Sequence, residues 1–465
     1  MCGRKDTQPR VHKAAMSEAI FGKYKLVLGL EIHLHLKTKR KMFCRCDADV
    51  YGKEPNTHTC PTCLGLPGAL PIPNPSAIRK TQILGLALNS EISKNSRFDR
   101  KHYFYPDLPK GYQISQYKQP LCVGGYLELD SGQKAEIERV HLEEDTAKSM
   151  HEGGKTLVDF NLSSMPLVEI VTKPIFTSIE DAVEFSKVVQ VLVRDLGIGD
   201  ANMEKGQMRL EPNISLRTLE MEEKGELPDY KVEIKNINSF RFMEKAVTAE
   251  VIRQRELLNS GESPTQENRG YNEAKKTTVS QRSKEEAHDY RYFPEPDIPP
   301  MEFDAAYIKE LEEEFKKVEE NLVKPDDLKG SLKDRYGLAE NIIESIIDLS
   351  QGVYAEAIKQ LETLVESGLN SKEVANMLVN RPDYRNITPK EFSKKLENEK
   401  DKVSDEGVLT EAIKDVLDKN QDAVQSYKVG KENALQFLIG MVMRDTKGKA
   451  DAQKVKELLL DQIKN

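Results

Sequence analysis

The chain has 465 residues, 38% of them hydrophobic and 31% charged, which is enough apolar material for several cores under a well-hydrated surface. Its net charge of -8 excludes sequence-blind nucleic-acid binding over the whole surface but leaves room for a local basic patch. No apolar run is long enough to span a bilayer, and the polar opening MCGRKDTQPRVHKAAMSEAI has no apolar stretch of the signal-peptide kind, so a cytoplasmic protein with no membrane partner is expected.

Residues 1–22 read as a disordered extension. KLVLGLEIHLHLK, Lys25–Lys37, then alternates without a slip. Leu26, Leu28, Leu30, Ile32, Leu34 and Leu36 fall on one face of a strand, and Val27, Gly29, Glu31, His33 and His35 on the other. The first face belongs to a core. The second is either a wetted sheet face or a site, and Gly29 suggests a close approach by a ligand or another backbone.

Four of the six cysteines come next: Cys44-x-Cys46, then Cys60-Pro-Thr-Cys63 followed by Gly65. In a reducing compartment two close pairs read as a metal site, with buried free thiols as the alternative. Four thiolates suit a closed, tetrahedral, structural Zn²⁺ over 44–63 with no open position for chemistry. RKHYFYPDLPKGYQISQY then crowds Lys101, Tyr103 and Lys110 among aromatic and turn residues, as a packed loop or as a binding rim for rings and anions.

Short alternating segments and two long amphipathic helices make 23–300 an α+β domain with an extended, largely antiparallel sheet. The prolines of DYRYFPEPDIPPMEF mark its edge. An all-α helical domain over 301–400 and a small helical tail domain over 401–465 follow. In the tail, Lys428, Lys431, Lys447 and Lys449 are either solvated surface or a small basic footprint for a phosphate backbone.

Isolated acids recur in the strand-like segments: HLEED with Glu143, Glu144 and Asp145, PLVEIVT with Glu169, and MRLEPNISLR with Arg209 and Glu211. A lone carboxylate in an apolar strand is costly unless paired or metal-bound. Carboxylates plus an imidazole, without thiolate, suit Mg²⁺ or Mn²⁺. Strand parity favours Glu143 and Asp145, which share a face with His141.

GLEIHLHL, FDRKHYFYPDLPKGYQISQ, HLEEDTAKS, PLVEIVT, IKNINSF, DYRYFPEPD and GKENALQFLIGMVMRDTKGKAD, in this order, resemble the B-subunit family of aspartyl/glutamyl-tRNA amidotransferases from Lys25 to the C-terminus. The large insertion of the related archaeal E subunit is missing. The resemblance implies a cradle-like catalytic domain and an ATP-dependent ligase. It would phosphorylate the side-chain carboxylate of Asp-tRNA(Asn) or Glu-tRNA(Gln), and ammonia would then displace phosphate. A separate amidase, the A subunit, would supply the ammonia; the small C subunit would clamp the two; and a non-discriminating synthetase would deliver the charged tRNA. The chain has no Ser-cis-Ser-Lys amidase signature.

The resemblance further implies Glu31, His33, Glu144, Glu169 and Glu211 as catalytic residues, with His33, Glu144 and Glu169 as Mg²⁺ ligands. Here it selects Glu144 against strand parity, which a β-bulge would reconcile. Glu211 stands where many members have Asp, and His35 lies outside the shared motif. Lys101, Tyr103 and Arg209 are candidate contacts to ATP or the acceptor end. Two other readings stay open: a non-catalytic, zinc-stabilised tRNA scaffold, which leaves the acids unexplained, and a free-standing metal-dependent hydrolase.

Overall fold

The computed structural model describes residues 22–283, 290–320, 325–349, 356–385, 387–401, 406–428, 432–445 and 452–464. Nearly all of the expected N-terminal extension, and Lys431, Lys447 and Lys449, lie outside these residues. The chain divides near residue 325 into two compact units.

The first unit is built on a ten-stranded sheet with β1, Tyr24–His35, at its centre. The other strands used below are β2 Asp99–His102, β3 Tyr112–Ser115, β4 Lys134–Glu144, β5 Pro166–Thr172, β6 Met208–Thr218 and β7 Val232–Lys235. β1 lies antiparallel between β5 and β6. β4 adds outside β5, and β7 adds outside β6. The sheet is antiparallel apart from the pairing of β7 with Glu267–Asn272.

The leucine face of β1 forms the core as the alternation predicts: Leu26, Leu28, Leu30, Ile32 and Leu34 are buried. They share one cluster with Phe185, Val189 and Val193 of the helix Ile179–Asp195, and with Met243, Val247 and Val251 of the helix Phe240–Ser260. Ser178 and Ser239 cap these helices by accepting from Asp181 N–H and Phe242 N–H, satisfying donors that a helix start leaves free. A Cβ at Gly29 would sit 3.4 Å from Pro174 Cα, so the close neighbour there is the chain leaving β5.

The opposite face of β1 is not wetted. A small three-stranded sheet of Phe293–Pro294, β2 and β3 lies against the end of β4. Gln113 Nε2 donates to Glu144 O (2.7 Å), and Ile114 N–H to Glu144 Oε1 (2.9 Å). The helix Ala305–Glu319 belongs to this unit: Leu311 enters its core, and Arg79 bonds Glu310 and Glu314.

In the second unit every described element is helical. Its apolar residues form two clusters, one from Leu332 to Leu396 and one from Leu409 to Ile463. Lys428 ends the helix Gln421–Lys428.

Candidate active site and cysteine cluster

Strand register aligns Arg209, His33, Glu169 and His141 in one row across β6, β1, β5 and β4. Alternation sends all four to one face. His33 Nε2 lies 3.6 Å from both Glu143 Oε1 and Glu169 Oε2, and His141 Nε2 is 3.1 Å from the same Glu169 oxygen. His33, Glu143 and Glu169 each offer a ligand atom within 4.8 Å of the others. Nδ1 of His33 and Nδ1 of His141 have no hydrogen-bond partner, and that of His33 faces Glu211 Oε1 at 3.9 Å.

Burial opposes a charge on His33, but Glu169, Glu211 and Glu143 outweigh it and raise the imidazole to about 9. Burial likewise opposes ionising Glu169, yet His141 and His33 hold it well below the usual carboxylate range. Glu143 is pushed up by burial and by Glu169. Lys101, on β2, keeps its proton despite burial because Glu143, Tyr292 and Glu169 face it; its Nζ also lies 5.1 Å from the Tyr290 ring and 6.0 Å from that of Tyr103. Two carboxylates, an imidazole and a fixed ammonium can hold a hard divalent ion and a phosphate beside each other.

Glu144 stands apart from this cluster and differs from the ligand set expected above. Its Oε1 is 2.6 Å from Lys110 Nζ. The reason is register: Glu143 pairs with Leu167 and Glu144 with Pro166 in unbroken alternation, and the irregularity in this strand pair falls at Val171/Thr172 instead. Glu31 and Glu211 oppose each other across β1 and β6 and meet Glu233 of β7 in a second acidic group. Lys235 bonds both Glu211 and Glu233, and Asn213 Nδ2 donates to Glu31 (2.9 Å). Lys235 and His33 outweigh burial to hold Glu211 down at about 2; burial and Glu211 raise Glu233 to about 7. Glu211 Oε1 is 3.9 Å from His33 Nδ1, so the two groups adjoin.

Arg209 clasps Asp145 with both Nη atoms, at 3.1 and 3.0 Å, and Asp145 Oδ2 also meets His35 Nε2 at 2.6 Å. Glu233 and Lys235 were missed in the sequence although VEIK alternates, with Val232 and Ile234 buried behind them. Lys41 was missed too, and no pattern marks it.

Sγ of Cys44, Cys46, Cys60 and Cys63 lie within 4.8 Å of one another, so the four are positioned for a metal. Cys60 Sγ and Cys63 Sγ are 3.8 Å apart. That is far beyond a disulfide and close to the edge of a tetrahedron with bonds of about 2.3 Å. Cys60 N–H donates to Cys63 Sγ (3.1 Å), and the fully buried Lys41 Nζ lies 3.9 Å from it. A hydrogen bond from Cys44 and the Lys41 ammonium outweigh burial and lower Cys63 to about 5. Cys44 is held up by its hydrogen bond to Cys63 and by burial, and Cys46 by burial, so the fit to a thiolate cluster rests on the spacing of the four sulfurs and the buried ammonium beside them.

The fold and site define a GatB/GatE-type chain. The family model described as the GatB/GatE catalytic domain matches residues 26–309, and one described as a GatB domain matches 336–463. The chain belongs to the GatB/GatE family. Its relatives include the B subunit of the aspartyl/glutamyl-tRNA(Asn/Gln) amidotransferase of Thermosipho melanesiensis, 40% identical over 94% of this chain and 98% of the relative. Proteins of the same name from Caldicellulosiruptor saccharolyticus (38%, covering 95% and 99%) and Thermotoga maritima (39%, covering 94% and 98%) are equally similar in extent. Among the described residues, no helix is long and apolar enough to cross a membrane.

Proposed function

We propose that the chain is the tRNA-handling component of a multi-subunit amidotransferase and activates the side-chain carboxylate of Asp-tRNA(Asn) or Glu-tRNA(Gln) with ATP. The observation that carries this is the juxtaposition of His33, Glu143 and Glu169 with the half-buried cation Lys101. The names of the relatives, which cover almost the whole chain, support it.

Phosphoryl transfer to a carboxylate brings two anions together, so the barrier falls when positive charge is fixed between them. The γ-phosphoryl group moves to the side-chain oxygen, releasing ADP and leaving an acyl phosphate. Ammonia then attacks the carbonyl carbon and expels phosphate. Lys101 is placed to bind phosphate oxygens. Arg209, held by Asp145 and with 39% of its side chain exposed, offers its free edge to the acceptor end or to ATP. Tyr103, Tyr105 and Tyr290 form an aromatic wall beside Lys101 suited to unpaired bases.

His33, Glu143 and Glu169 would hold Mg²⁺ (or Mn²⁺), which when bound supplies charge neutralisation between the two anions. His33 Nε2, which faces both Glu143 and Glu169 at 3.6 Å, and the oxygen-rich donor set fit such an ion. The second acidic group, Glu31, Glu211 and Glu233, adjoins the first through Glu211 and adds negative charge beside His33. The four cysteines would hold structural Zn²⁺. Ammonia would come from a separate amidase held in place by a small third protein, and the second unit would grip the tRNA body.

The test is ATP turnover by the purified protein with its amidase partner and Mg²⁺, with and without Glu-tRNA(Gln) or Asp-tRNA(Asn). ADP release that requires the misacylated tRNA supports the reading. Tight tRNA binding without turnover would leave the scaffold reading standing, and turnover without tRNA or partner the hydrolase reading.

A further inference from the structure

We infer that Tyr51, His35 and Asp145 form a positioning relay that carries the geometry of the cysteine loop to Arg209 on the catalytic face. Its kinetic consequence rests on the function proposed above; the relay itself does not.

Tyr51 lies between Cys46 and Cys60, within the loop that the cysteines close. Its hydroxyl is 2.7 Å from His35 Nδ1, and His35 Nε2 is 2.6 Å from Asp145 Oδ2. Asp145 in turn receives both Nη atoms of Arg209 and the Thr146 N–H at 2.9 Å. His35 and Asp145 are buried. A carboxylate only accepts, so a neutral His35 must carry its proton on Nε2 and accept at Nδ1. Tyr51 is then the donor, and burial together with Asp145 keeps its phenol protonated. Each bond fixes the direction of the next, from loop to guanidinium.

The alternative, that Tyr51 only packs the loop, fits the contacts less well. Ala48 and Val50 already anchor the loop on Met165 in an apolar cluster that does not include Tyr51. Tyr51 and His35 line a cavity of about 550 Å³ together with Ala48, Met165, Asp200 and Gln207. Tyr51→Phe therefore removes the hydrogen bond to His35 together with the Gln207 contact to the phenol, leaves the apolar anchor, and gives water room at the orphaned His35 nitrogen.

The test compares Tyr51→Phe, Arg209→Lys and the double variant in the complete complex. Tyr51→Phe should raise KM for ATP or for the aminoacyl-tRNA by about tenfold, the upper range for one lost hydrogen bond, while kcat changes less. The double variant should be no worse than Arg209→Lys alone, because both cut one chain. Hydrogen exchange gives a readout that needs no activity: the Ala48 and Lys53 amides should exchange faster in Arg209→Lys. Additive kinetic effects, or exchange in this loop unchanged by Arg209→Lys, would overturn the relay. A wild-type complex without tRNA-dependent ATP turnover would sink the proposed function instead, and the exchange result would still decide the relay.

Discussion

Glu143 and Glu144 are neighbours in sequence and take opposite partners: Glu143 Oε1 lies 3.6 Å from His33 Nε2, whereas Glu144 Oε1 lies 2.6 Å from Lys110 Nζ. Alternation along β4 separates a crowded acid from a paired one, and the two should respond to the same substitution with opposite signs. Glu144→Gln breaks a buried ion pair and should cost about 3 kcal/mol, because Lys110 is left uncompensated. Glu143→Gln removes a carboxylate already repelled by Glu169 and should leave ion-free stability unchanged or higher, while abolishing the extra stability conferred by Mg²⁺. Thermal melts of both variants with and without Mg²⁺ read out each sign.

The His33 ring faces carboxylates, with oxygens of Glu143, Glu169 and Glu211 at 3.6, 3.6 and 3.9 Å from its nitrogens. His33→Ala should give a folded protein with native circular dichroism and elution volume and no amide formation on charged tRNA. A folded variant that amidates at the wild-type rate would remove His33 from the mechanism.

The same residue sets a pH dependence. Its folded pKa of about 9 lies above its usual 6.5. Its contribution to the stability of the ion-free protein is therefore fully present below 6.5 and is lost as pH rises through about 9. Glu211, lowered to about 2 from 4.5, works the other way: its contribution is present above 4.5 and is lost as pH falls through about 2. Denaturation midpoints from pH 6 to 10 should fall, and His33→Ala should flatten that fall.

Metal removal should act on the cysteine loop first. A strong chelator should lower the melting temperature and expose Cys44, Cys46, Cys60 and Cys63 to a thiol reagent, and Cys63→Ser should do the same without chelator. Lys41→Met should speed metal release, since the fully buried ammonium beside Cys63 offsets thiolate charge. Release to a chromophoric chelator measures this independently of any activity.

Much of the sheet was legible because its signal is local. The period-two pattern of Leu26 to Leu36 named the core face, and the spacing of the four cysteines named the cluster. Parity also pointed to Glu143, since its face follows from counting along β4 from His141. What stayed hidden depends on partners distant in sequence. Lys110 approaches Glu144 only because β3 lies on the end of β4, and Tyr51 reaches Asp145 only through His35. The helix Ala305–Glu319 reads in sequence as the start of the helical domain over 301–400, but Leu311 and Arg79 draw it onto the first unit.

The most direct measurement follows the phosphoryl group itself. Complex carrying wild-type chain, Glu143→Gln or Glu144→Gln would be mixed with γ-labelled ATP, Mg²⁺ and Glu-tRNA(Gln), without any ammonia donor, and quenched rapidly. The account predicts label on the tRNA-bound glutamyl carboxylate with the wild-type chain, released as phosphate when ammonia is added, and none with Glu143→Gln. Label transfer that survives Glu143→Gln, or its absence from the wild-type complex while tRNA remains tightly bound, would contradict it.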